Sequence, residues 1–274
     1  MSPASPKLSR LKTVFISDVH RGFRACQADY LLAFLNQLHT EQRVPVGDIV
    51  GLWSLKRSLY WPLSYQAVLR AILRLARTRT KVVFVPGKHD EEFRDLRGGE
   101  IAGIDIRRDF IHETADGKRY LVRHDDDVDG AVQFSGWLKE VGERLYDGVL
   151  WLGRIIQASR RRLGFGYGSL ASWTKHQVPD ARHYFDRFES AAAHAALKHG
   201  LDGVIGGHIH RPAIREVDGV RFCDDGDGVE HCSALVEDRN GRLSILRWTG
   251  AAEGIGRETA PPVRAPVVAL DTAA

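Results

Sequence analysis

Aspartate and histidine recur in this chain directly after short apolar runs. TVFIS (13–17) is followed by Asp18-Val19-His20, RVPV (43–46) by Gly47-Asp48, and VVFVP (82–86) by Gly87-Lys88-His89-Asp90. RYLV (119–122) leads to His124 with Asp125, Asp126 and Asp127, and GVIG (203–206) to Gly207-His208-Ile209-His210. In an open α/β sheet, functional groups gather at the carboxyl ends of the strands. Carboxylates and imidazoles delivered to one such edge, with no cysteine among them, suit a cation of borderline hardness such as Mn, Fe or Zn. A carboxylate such as Asp48 can bridge two cations about 3.5–4 Å apart, the separation used in phosphoryl chemistry. Alternation in extended backbone predicts that Asp18 and His20 share a side, and that His208 and His210 do too. Glycines at 47, 87 and 207 are expected to let the chain turn sharply and approach bound cations closely.

The elements that must position these groups follow from periodicity. The apolar runs read as strands buried on both faces. Between them, Ala28, Leu31, Leu32, Leu35 and Leu38 fall on one helical face, and Tyr65, Val68, Leu69, Ile72 and Leu75 on another. Strands alternating with helices predict an α/β domain. From 131 to 200 the periodicity turns helical, with an apolar stripe from Phe134 to Ile156, a second helix near 181–199, and a helical insert as its simplest reading. Strands resume at 202, with a hairpin through Asn240-Gly241. The expected organisation is a leader at 1–12, a domain at 13–248 carrying the insert, and a disordered tail at 249–274.

Composition bounds the rest. The chain has 274 residues, is 43% hydrophobic, and carries a net charge of +4. That charge is too weak to imply nucleic-acid binding by itself. Three cysteines at wide spacing make neither a disulfide framework nor a zinc knuckle, and indicate reduced thiols in a cytoplasmic protein. No apolar run approaches the roughly 18 residues needed to span a bilayer. Within the insert, Arg160, Arg161, Arg162, Trp173 and Lys175 mix cations with aromatic surface. They suit a phosphorylated ligand or an anionic membrane face, although a solvated helix face would read the same way.

The ordered set D-x-H, GD, G-x-HD, H and GHIH resembles the calcineurin-like metallophosphoesterases over roughly 13–248. SDVHRG with CQADYLL, VGDIV followed by KRS and YWP, HETADGKRYLV and the helical insert look like the UDP-2,3-diacylglucosamine pyrophosphatase branch. The resemblance implies a two-layered β-sandwich flanked by helices, a dinuclear centre of Mn (or Fe or Zn), and hydrolysis of a lipid-linked nucleotide to UMP and a lipid phosphate. It implies a cytoplasmic protein, peripheral on the inner membrane. Asp18, His20, Asp48 and His210 match ligands of a first metal, Asp48 the bridging group, and His124 and His208 ligands of a second. His89 matches the catalytic histidine beside the scissile phosphate.

The sequence departs from the family pattern at the chemistry itself. Lys88 stands where the family has a ligating Asn, and a protonated lysine has no acceptor. At 4 Å from a dication it would meet a gross repulsion of about 8 kcal/mol at an effective dielectric near 20. Gly51 replaces the acid that orients the catalytic histidine, Asp125 replaces the glycine of H-G-D, and Gly228 replaces a tryptophan. These changes keep open two other readings: a catalytically impaired protein that binds a phosphorylated lipid, and a phosphodiesterase of nucleotides or nucleic acid.

Overall fold

The computed structural model describes residues 11–19, 28–38, 40–49, 63–78, 80–124, 156, 179–229, 231–248 and 253–254. Two mixed sheets face each other. The first has the order β13-β12-β11-β1-β2-β3-β5-β4 and the second β6-β7-β8-β10-β9. The strands of the first are β1 (Leu11–Ser17), β2 (Gln42–Val46), β3 (Lys81–Phe84), β4 (Glu100–Ile101), β5 (Ile104–Ile106), β11 (Ser233–Asp238), β12 (Leu243–Arg247) and β13 (Glu253–Gly254). Those of the second are β6 (Phe110–Glu113), β7 (Arg119–Val122), β8 (Gly203–Gly206), β9 (Ala213–Val217) and β10 (Val220–Asp224). Among the described residues there are three α-helices: α1 (Ala28–Gln37), α2 (Leu63–Ala76) and α3 (Pro179–Lys198).

Alternation along the strands builds the layers. On β1, Phe15 faces the second sheet and packs with Val44, Val46, Val85, Tyr120, Val122, Ile205 and Leu235. Its neighbours Val14 and Ile16 point the other way, against Leu31, Phe34, Leu35 and Val68 of α1 and α2. Outside the second sheet, Phe185, Phe188, Ala192 and Ala196 of α3 close over Leu121, Val204 and Phe222. The result is helix, sheet, sheet, helix, the sandwich flanked by helices that the alternating pattern implies. Each large side chain buried in these layers contributes about 1.5–3 kcal/mol.

Direction matters more than layering for function. β1, β2 and β3 run parallel in the first sheet, and β7, β8 and β10 run parallel in the second. Their carboxyl ends therefore share an edge in each sheet. Register persists to the last residue: Ser17 sits opposite Val46, and beyond them the Asp18 amide donates to the Gly47 carbonyl at 3.3 Å. The Gly47 amide in turn donates to the Val85 carbonyl at 2.6 Å.

Of the stretch 131–200, the described part is α3 and Ile156. Ile156 is helical but 38% exposed, so this end of the expected apolar stripe does not enter a core. Glu253 and Gly254, within the 249–274 tail, pair with Arg247 and Leu246. No helix among the described residues is long and apolar enough to cross a membrane.

Candidate metal centre

The chain passes through the left-handed backbone region just after β1, β2 and β8. Asp18 has φ 48°, Asp48 φ 46°, His208 φ 80° and His210 φ 52°. For residues with a β-carbon this costs about 1–3 kcal/mol each, and such strain persists where surrounding contacts over-determine it. They do so here. The Asp18 Oδ2 accepts the His208 amide at 2.7 Å, and its carbonyl accepts the Gly228 amide at 3.1 Å. The Asp48 Oδ1 accepts the His89 amide at 2.8 Å.

This corrects the expectation from strand alternation. His208 and His210 are not extended, and they do not serve one group. His210 Nε2 lies 3.1 Å from Asp18 Oδ1. His208 instead joins Asp48 and His124, whose ligand atoms all lie within 4.8 Å of one another. The left-handed turns split the pair because the loop must curl back over both sheets rather than continue as a strand.

The glycines act mainly by closeness. Gly47 has φ 72°, and a β-carbon there would fall inside the His124 imidazole. Gly87 and Gly207 have ordinary backbone angles. A β-carbon on Gly87 would stand 2.7 Å from His124 Cδ2 and against the Asp48 carboxylate, and one on Gly207 would stand 2.7 Å from Asp18 Oδ2. The sharp turning expected of the three glycines is borne out at Gly47, while at the other two positions it falls to neighbouring aspartate and histidine residues. Gly228 brings the loop after β10 onto Asp18, where an added β-carbon would be 3.1 Å from Val19 Cα.

Tautomers can be read from the hydrogen bonds. His124 Nδ1 is 3.2 Å from the Val46 carbonyl, which can only accept, so Nδ1 carries the proton. That leaves Nε2, 3.4 Å from Asp48 Oδ2, as the ligating nitrogen. The His124 and His208 rings meet edge to face at 5.3 Å. His89, about one-third exposed, places Nε2 3.8 Å from Asp48 Oδ2, at the open side of the group.

Lys88 is exposed. It heads a pair of tight 3-10 turns over Lys88–Leu96, kinked at Asp90. Solvent at this exposed position screens the repulsion expected of a lysine beside a dication. His20, Gly51, Asp125, Arg160, Arg161, Arg162, Trp173 and Lys175 lie outside the described residues.

Several functional neighbours were not singled out from sequence. Asp90, fully buried, accepts the Ile49 amide at 2.8 Å and so ties the loop after β3 to the loop after β2. Asp225 accepts the Ser17 hydroxyl at 2.5 Å, beside Asp18. Asp224 accepts the Arg211 amide at 3.2 Å and the Gly226 amide at 2.8 Å. Both acids are fully buried, and burial pushes each well above the usual carboxylate range. Their position after β10, a third parallel strand ending at this edge, was the available signal.

Buried acids on this scale need cations. Asp18 and Asp48 are 0% and 2% exposed, and each lies beside an imidazole. Asp48, His124 and His208 form a convergent oxygen–nitrogen donor set with no thiolate, which fits a divalent metal of the Mn, Fe or Zn group. A second set is not demonstrated among the described residues, where Asp18 and His210 stand as a pair 3.1 Å apart.

A sandwich of two mixed sheets that collects Asp and His donors at the ends of its parallel strands is an architecture suited to metal-dependent hydrolysis. The sequence profile of the calcineurin-like phosphoesterases matches residues 11–212, and the chain belongs to that family. Among solved structures, an archaeal phosphodiesterase is 14% identical, with 86% of this chain and 98% of that one covered and a TM-score of 0.39. A Vps29 single mutant from Entamoeba histolytica is 15% identical, covering 85% and 89%, with a TM-score of 0.42. The phosphopantetheinyl hydrolase of Mycobacterium tuberculosis is 14% identical, covering 81% and 92%, with a TM-score of 0.37. None of the curated proteins matches the chain.

Proposed function

We propose that this protein hydrolyses a phosphodiester or pyrophosphate bond in a lipid-linked nucleotide such as UDP-2,3-diacylglucosamine, releasing UMP and a lipid phosphate. The observation that carries the reaction class is the convergence of Asp48, His124 and His208 at the ends of β2, β7 and β8. The sequence words shared with the diacylglucosamine pyrophosphatases support the substrate. The basic and aromatic residues Arg160, Arg161, Arg162, Trp173 and Lys175 support a lipid phosphate and an anionic inner-membrane surface as partners.

Asp48, His124 and His208 would hold one divalent metal, and Asp18 and His210 would contribute donors to a second. The metal, when bound, supplies Lewis-acid polarisation of the phosphoryl oxygens and lowers the pKa of water. Asp48 orients the groups on either side of it. His124 is fixed by Val46 so that one nitrogen alone faces the site. His89, at the open rim, is placed to give a proton to the leaving oxygen.

The test is metal analysis of the purified protein together with UMP release from UDP-2,3-diacylglucosamine in mixed micelles with Mn. Cleavage of that substrate supports the proposal. Cleavage of bis-p-nitrophenyl phosphate alone identifies a phosphodiesterase of another substrate. Binding of the lipid without turnover, with activity restored in a Lys88→Asn, Gly51→Asp double variant, identifies an impaired member of the family.

A further inference from the structure

The loop that carries His208 and His210 is gripped from outside the sheet by α3. Phe188, fully buried, lies over the His208 ring at 5.9 Å and 30°. One residue on, Glu189 is 5% exposed and faces two guanidinium groups. Its Oε1 is 3.0 Å from Arg215 Nη1 on β9 and 3.7 Å from Arg211 Nη1. Arg211 follows His210 directly. Its guanidinium sits 4.9 Å above the Phe185 ring, and its amide is held by Asp224. Residues 185, 188 and 189 share one face of the helix, so a single surface of α3 meets both the histidine ring and the residue next to the other histidine.

We propose that Glu189, acting through Arg211, is a positioning residue for the His208–His210 loop, so that metal affinity is set partly from α3. This rests on the metal-binding reading of the site. His210 is held in a left-handed conformation, and a loop under such strain relaxes unless both of its ends are fixed. Asp18 and Asp224 fix it from the sheet side. On the outer side the fixed point is the Arg211 guanidinium between Glu189 and Phe185. Without the carboxylate, Arg211 and Arg215 would be two half-buried like charges offset only by the weaker attraction of Asp186 and Asp224 for Arg211, and the Arg211 guanidinium would move away. The plain alternative is an ordinary ion pair that fastens α3 to β9 through Arg215, which makes the shorter contact.

Cobalt binding to the full chain separates the two. Co(II) is followed by its d–d absorption and by titration, with thermal unfolding of the metal-free protein measured alongside. Glu189→Gln and Arg211→Gln are each expected to weaken Co(II) binding about tenfold and to change the d–d band. The double variant should be no weaker than either single one, because both remove the same link. Arg215→Gln should lower the unfolding temperature and leave Co(II) affinity and spectrum unchanged. Equal Co(II) binding by wild type and Glu189→Gln overturns the inference alone, as does an Arg215→Gln effect on affinity equal to that of Glu189→Gln. No Co(II) uptake by the wild type overturns both this inference and the metal-centre reading. Arg211→Gln tests the same link from the loop should Glu189→Gln fail to fold.

Discussion

The His89 amide donates to the Asp48 Oδ1 at 2.8 Å, so the loop after β3 is fastened to the carboxylate of the metal-ligand group. The other oxygen, Oδ2, faces His124 at 3.4 Å. One side chain thus divides its acceptors between backbone and site. Asp48→Asn keeps an acceptor for the His89 amide while removing the charge. It should leave the unfolding temperature of the metal-free protein near that of wild type. Metal affinity should fall by more than the roughly 10–100-fold typical of outer-shell changes, and hydrolysis of bis-p-nitrophenyl phosphate should fall with it. Retained metal content after dialysis would show that Asp48 is not a ligand.

Lys88 occupies the ligand position of the loop and is exposed. A protonated lysine has no acceptor, so it does not ligate there. Lys88→Asn supplies an amide oxygen there. Manganese stoichiometry should rise, and turnover should rise by about tenfold or more, the scale of a positioned catalytic contact. Unchanged stoichiometry and rate would mark the residue as a bystander.

Gly87 and Gly117 separate closeness from backbone freedom. Gly117, in the turn between β6 and β7, has φ 83° and nothing within 4 Å of an added β-carbon. Gly117→Ala should cost about 1–2 kcal/mol of stability and leave metal binding intact. Gly87 has φ −86°, an ordinary value, yet a β-carbon would stand against Asp48 and His124. Gly87→Ala should therefore lose metal affinity out of proportion to any loss of stability. Isothermal titration and chemical unfolding on both variants check this.

The alternation of apolar runs and amphipathic stretches was legible because burial imposes it: Phe15 inward and Val14 outward on β1 is a direct consequence of the pleat. The ligands were legible because they follow strands that end on one edge. Where the ligands point was not. Local alternation placed His208 and His210 together, but a left-handed turn, held by the hydrogen bond that the His208 amide donates to Asp18, 190 positions away, divides them. Asp224 and Asp225 escaped because a buried acid and a surface acid are the same letter, and Asp90, legible as part of the G-x-HD word, had no role of its own there. The Glu189–Arg211 contact escaped for the same reason, since it joins a helix to a loop with no sequence pattern linking them.

Glu237 on β11 is a pin between the sheets. Its Oε2 meets His112 Nε2 of β6 at 2.9 Å, and its Oε1 accepts the Ala115 amide at 2.8 Å. Burial alone would push this carboxyl up, but the hydrogen bonds from His112, Thr13 and Ala115 outweigh it and hold Glu237 below its ordinary value. A depressed carboxylate stabilises the fold at pH above its unfolded value, near 4.3, and that contribution is lost as pH falls through the folded value. Glu237→Gln should thus cost about 1.5–3 kcal/mol at pH 7, the range for hydrogen bonds to a charged group, and progressively less below pH of about 4. Chemical unfolding across that range checks it, and an equal loss at both ends would refute the assignment.

Asp224 shows the opposite sign. It is fully buried, its Oδ1 accepts two amides, and its Oδ2 has no hydrogen-bond partner among the described residues. Burial raises its pKa far more than the Gly226 amide lowers it, and the nearby Asp18 adds to the rise. Asp225, immediately next in the chain, is raised by burial and by Asp224 itself. For such acids the neutral form is the one the fold prefers. The contribution to stability is full below the unfolded value, near 3.9, and declines as pH rises toward the folded value. The metal-free protein should therefore lose stability as pH is raised from about 4, and Asp224→Asn should remove part of that decline. The variant keeps the side-chain oxygen for the Arg211 and Gly226 amides but can no longer bury a charge. At pH 8 it should be more stable than wild type by about 0.5–2 kcal/mol, with the difference vanishing below pH of about 4. Thermal unfolding of both proteins in chelator, across pH, reads this directly. A difference of the same size at pH 3.5 and pH 8 would mean that shape rather than charge decides the effect.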